Sequence, residues 1–69
     1  MPPIDLRPRE IEILKLVSEG HSYKQCARFL NLSLPTIKVY VGRSKEKLRA
    51  KSICHAIAIY VQLIMHMED

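Results

Sequence analysis

The chain has 69 residues, a net charge of +4 and apolar side chains at 48% of its positions, which allows one small domain that depends on good helix packing, a partner chain or both. Two cysteines, Cys26 and Cys54, and three scattered histidines give no disulfide framework and no metal spacing. With no signal peptide and no apolar run of bilayer length, the sequence predicts a protein of the reducing cytoplasm with no membrane role.

Residues 1–7 contain two prolines and no periodicity, and are expected to form a loose arm. A first helix is predicted over 8–19. Pro8 suits its first turn, Glu10 and Glu12 sit where negative charge is favoured, and Ile11, Ile13, Leu14, Leu16 and Val17 give a broad apolar face. Gly20 can end it in the left-handed conformation. Ser22 and Gln25 have capping-box spacing for a second helix over 23–30, with Tyr23, Cys26, Ala27 and Leu30 facing inward and Lys24 and Arg28 outward. Asn31 falls where that helix ends and tolerates a left-handed backbone, and Leu32 is an apolar turn residue that can tuck into the core.

Ser33 is a good N-cap for a third helix over 34–48, with Pro35 and Thr36 in its first turn. Ile37, Tyr40, Val41, Ser44 and Leu48 are predicted to face inward, and Lys38, Val39, Gly42, Arg43 and Glu46 to lie elsewhere on its surface. Gly42 costs this helix roughly 1 kcal/mol relative to alanine. At Ser44 an aliphatic residue is expected to bury more apolar area, so that Ser44→Ile should stabilise. Ser52 can cap a fourth helix over 52–66 that is apolar almost all round. Ile53, Ala56, Ile57, Tyr60, Val61 and Ile64 make one stripe, assigned to the core. Ala58, Ile59, Leu63 and Met67 make another, assigned to a partner chain.

Six of the eleven basic residues, and one of the seven acids, lie between Lys38 and Lys51. Two short helices joined by a tight turn, the second strongly basic, predict a helix-turn-helix that lays its second helix in the major groove of DNA. There is no acid pair in a pocket, no nucleophile with a base and no phosphate-cradling loop, so the sequence predicts no enzyme and no cofactor.

The chain resembles the LuxR/GerE-type DNA-binding domain, an all-α module of four helices with the helix-turn-helix at the second and third. The resemblance runs from Leu6-Arg7-Pro8-Arg9-Glu10 through Glu19-Gly20-His21-Ser22-Tyr23-Lys24 and Ala27-Arg28-Phe29-Leu30. It is most specific at Thr36-Ile37-Lys38-Val39 and Lys47-Leu48, and continues to Ala56. It implies a transcription regulator of the free-standing short kind, bacterial or phage, acting as a homodimer. Lys38, Val39, Gly42 and Arg43 would face the bases, and Ser22, Lys24, Thr36 and Lys47 would hold phosphates. The dimer would form through Ile59, Leu63 and Met67 of the fourth helix. Several positions depart from the family pattern: Arg7 for a capping Thr, Tyr40 for His, Ser44 for a large apolar residue, Arg49-Ala50 for Gly-Val and Ile53 for Arg, with Gly42 where a base-contacting side chain is common. Gly42, Ser44 and Ile53 leave an alternative, an anti-activator that pairs with a larger LuxR-type regulator and blocks it.

Overall fold

The computed structural model describes the backbone of residues 5–67 and the side chains of residues 5–65. Four helices follow in order, α1 (Pro8–Ser18), α2 (Tyr23–Leu30), α3 (Leu34–Leu48) and α4 (Ile53–Met67). No strand occurs among the described residues. The all-α expectation is met, and the helix boundaries from the start of α1 to the start of α4 can be traced to their capping chemistry.

The first boundary differs from the expected pattern. Arg7 is the N-cap of α1, but a guanidinium has no acceptor and makes no side-chain cap. Instead Glu10 reaches back, and its Oε1 accepts the Arg7 backbone N–H at 2.8 Å. At the other end Gly20 takes φ +97°. The Gly20 N–H donates to Val17 O and the His21 N–H to Leu16 O, closing the helix as a Schellman turn. The Ser22–Gln25 capping box forms in both directions, at 3.2 and 2.9 Å. The His21 ring packs edge-on against Phe29 with centroids 5.0 Å apart, which fixes the approach to α2.

Asn31 closes α2 at φ 56°, and the Leu32 N–H reaches Ala27 O. Ser33 Oγ caps α3 by accepting the Thr36 N–H at 3.3 Å. Arg49 closes α3 at φ 54°, a left-handed position that a glycine would hold with less strain. Ser52 Oγ accepts the His55 N–H at 3.1 Å at the start of α4, while His55 Nδ1 accepts the Lys51 N–H.

The core has two parts. Ile13, Cys26, Ile37 and Val41 form one, with Leu16, Val17, Tyr23, Ala27, Leu30, Leu32 and Tyr40 around it. Leu14, Leu48, Ala56 and Tyr60 form the other, with Leu6, Ala50, Ile57, Ile59, Leu63 and Ile64 around it. Ile53 packs against both. Burial raises the Cys26 thiol pKa, in keeping with a small inert core residue.

Four expectations need correction. Ile11 is exposed, and its neighbour Glu10 is buried in its place. Of the expected arm, residues 1–4 lie outside the described residues, while Leu6 packs on the second part of the core. Ser44 is buried as expected, but its Oγ donates to Tyr40 O at 2.8 Å, so the hydroxyl is satisfied there rather than left wanting an apolar replacement. In α4 the two stripes are reassigned. Val61, given to the core, is exposed, whereas Ile59 and Leu63, given to a partner, pack partly buried on the second part of the core. A helix that is apolar all round gives hydrophobic periodicity no phase, so spacing alone could not orient it. The outward side of α4 has an apolar strip, Cys54, Ala58, Val61 and Met65, spaced four, three and four residues apart, with the exposed His55 and Gln62 along one edge. The Met67 side chain lies outside the described residues.

Candidate nucleic-acid interface

The packing of α3 determines which of its residues face out. Ile37, Val41, Ser44 and Leu48 are buried, and this places Lys38, Val39, Arg43 and Glu46 in solvent, with Gly42 half-exposed among them. Val39 is 52% exposed although apolar, a cost in water that contact with another surface would recover. Lys38, Val39, Gly42 and Arg43, the expected base-facing residues, thus share one open side of α3. Glu46 stands one turn beyond Gly42 on that side as its acid.

The expected phosphate contacts divide. Ser22 and Lys24 are exposed at the start of α2. Ser22 Oγ accepts the Gln25 N–H, which leaves its own hydroxyl proton free to donate. Thr36 lies in the first turn of α3, with Oγ1 2.7 Å from Ser33 Oγ. The start of α2 leaves the Tyr23 and Lys24 N–H groups without a helical partner, the start of α3 leaves that of Leu34 because Pro35 has none and Ser33 takes that of Thr36, and both starts carry the positive end of the helix dipole.

Lys47 is drawn elsewhere. Its Nζ lies 2.8 Å from Glu10 Oε1, an ion pair across 37 residues of chain that ties the start of α1 to the end of α3. Glu10 is 1% exposed and Lys47 30% exposed. Burial works to raise the Glu10 pKa. The Lys47 hydrogen bond, the Arg7 N–H and the charges of Lys47 and Arg43 outweigh it, and the carboxyl is held below its ordinary value. The sequence reading missed this pair. The signal was the capping-box spacing of Arg7 to Glu10, which turns the Glu10 carboxylate back over the helix start and toward the core.

Among the described residues no three metal-ligating side chains cluster, and no single helix is long and apolar enough to cross a membrane.

A short α2, a left-handed turn at Asn31 and a longer α3 with one buried and one open basic side define a helix-turn-helix domain. The family described as bacterial regulatory proteins, luxR family, matches residues 5–60. The chain belongs to that family. It is 41% identical over 58 residues to the transcriptional activator protein CarR of Pectobacterium carotovorum subsp. carotovorum, covering 84% of this chain and 24% of that one. It is 42% identical over 52 residues to nodulation protein W of Bradyrhizobium diazoefficiens, covering 75% and 23%. It is 41% identical over 56 residues to the nitrate/nitrite response regulator protein NarL of Escherichia coli K12, covering 81% and 26%. The chain therefore spans about a quarter of the length of these relatives.

Proposed function

We propose that this chain binds double-stranded DNA as a homodimer, with α3 in the major groove, and regulates transcription. The observation that carries the reading is the open side of α3, where Lys38, Val39 and Arg43 project together from a helix anchored on its opposite side by four buried residues. Arg43 is the candidate for a bidentate guanine contact, and Val39 for an apolar contact with a base edge. Ser22, Lys24 and Thr36 are suited to hold phosphates at the two helix starts and so fix the approach of α3 without reading sequence. Lys47 supports α3 from behind through Glu10. The relatives support the regulatory role by what they are: one is a transcriptional activator and another a response regulator.

In this proposal the dimer forms through α4. Cys54, Ala58, Val61 and Met65 form an apolar strip on its outward side, beside His55 and Gln62, and Val17, Ser18, Ile53 and Ile57 line a shallow groove that continues from Cys54. Two copies related by a twofold axis would cover this side on both chains with one surface. Their α3 helices would then meet successive major grooves of a palindromic site.

Fluorescence anisotropy with duplex DNA over a series of salt concentrations tests the reading. Each neutralised phosphate releases counterions, so log affinity should fall linearly with log salt, by about 0.9 per phosphate contacted. Lys38→Ala should weaken binding, and Lys24→Ala should weaken it equally for all sequences and flatten the slope by about one contact. An affinity independent of salt, or no binding at low salt, would sink the proposal.

A further inference from the structure

We propose that Gly42 forms a notch in the DNA-reading side of α3 that seats the 5-methyl group of a thymine, with Val39 as its apolar wall. The inference rests on the DNA-binding reading above and names what that site reads. Nothing inside the protein requires glycine here. Gly42 is in the middle of α3 and does not take positive φ. A Cβ built on it would meet nothing within 4 Å beyond its chain neighbours and the adjoining backbone of α3 itself. Glycine is nonetheless the worst residue for a helix interior apart from proline. The space above it is therefore open on the outside, where another molecule can approach the helix backbone closely.

The walls of the notch indicate what fits. On a helix the neighbours of Gly42 are Lys38 and Val39 one turn before it and Lys45 and Glu46 one turn after. A phosphate would gain from the two lysines, but it would meet the Glu46 carboxylate and gain nothing from Val39. The floor is helix backbone whose N–H is already used within α3, so it offers no donor to a purine N7 or O6. A group seated there must be apolar. The 5-methyl of thymine is the apolar group that the major groove presents.

The test uses duplexes enriched from a randomised library by the wild-type protein. Gly42→Ala should melt at a higher temperature than the wild type, because the added methyl favours the helix and meets open space. It should nonetheless bind the enriched duplexes at least about fivefold more weakly, since it fills the space that the DNA would enter. Replacing thymines one at a time by deoxyuridine, which lacks only the methyl, should cost the wild type about fourfold at one position in each half-site. Gly42→Ala should no longer distinguish the two bases there. Undiminished affinity of Gly42→Ala, or equal binding of thymine and uracil duplexes by the wild type, would overturn the notch while leaving DNA binding intact. A wild-type protein that binds no duplex is a different result, which removes the DNA-binding reading and the notch with it.

Discussion

At Glu10 burial and charge act against each other, and the balance sets how the fold responds to acid. Its pKa is lowered in the folded chain, so its contribution is fully present above the ordinary carboxyl value near 4.5 and is lost as pH falls through the depressed folded value. Breaking a fully enclosed ion pair costs about 3–5 kcal/mol. Lys47 is partly open to water and can turn outward, so Glu10→Gln should cost less, about 2 kcal/mol at neutral pH. Urea denaturation at pH 7 and again at pH 3 checks this: the gap between variant and wild type should narrow at the lower pH. An equal gap at both would mean that shape, not charge, is what Glu10 supplies. Ser44 offers the opposite case, an uncharged polar group already satisfied. Its hydroxyl bonds to the Tyr40 carbonyl, which keeps its helical N–H partner when the hydroxyl is removed. Ser44→Ala should therefore change stability by less than about 0.5 kcal/mol. Ser44→Ile should destabilise by about 1–3 kcal/mol, because the site is closed and the larger side chain must displace its neighbours. Thermal melts of the two variants separate these outcomes, and a higher melting temperature for Ser44→Ile would show spare room beside α3.

Among the elements, α4 is the one whose orientation the sequence left open. The turns and caps were legible because their chemistry is local. Ser22 and Gln25 sit three residues apart, Ser33 precedes Pro35 and Thr36, and Asn31 falls where the chain must turn left-handed. The inward stripes of α2 and α3 were legible because their other sides are mostly polar, with Phe29 and Val39 as the exposed apolar exceptions. Spacing marked Glu10 as a residue that turns back over the start of α1, but its pairing with Lys47 and the facing of α4 depend on which elements meet across the fold, and residue spacing holds no record of that. With Ile59 and Leu63 now on the core, the dimer test moves to the outward side. Val61→Glu with Met65→Glu should give a folded monomer with its helical circular dichroism intact, since both side chains are exposed in the single chain. Ile59→Glu with Leu63→Glu should instead lower the helical signal or the melting temperature sharply. Sedimentation of the wild type should show a concentration-dependent dimer. A wild type that stays monomeric at high concentration, or an outward double variant that still dimerises, would count against α4 as the interface.

Taken whole, the molecule separates its labours by side. The open side of α3 has Lys38 and Arg43 exposed beside Val39, the outward side of α4 has an apolar strip through Ala58, Val61 and Met65, and α1 is held between the two parts of the core. That last arrangement governs how the domain comes apart. Ile13 and Leu14 are adjacent in sequence, yet each belongs to a different part of the core. The helix-turn-helix thus completes its interior with Ile13 of α1, joined by Ile53 of α4, and the packing of α4 on the end of α3 is completed by Leu14. Neither can melt while the other stands, because the loss of α1 from one strips it from the other. The domain is expected to be a single cooperative unit with no half-folded form. Every molecule that presents α3 to a ligand is then one in which all four helices are in place.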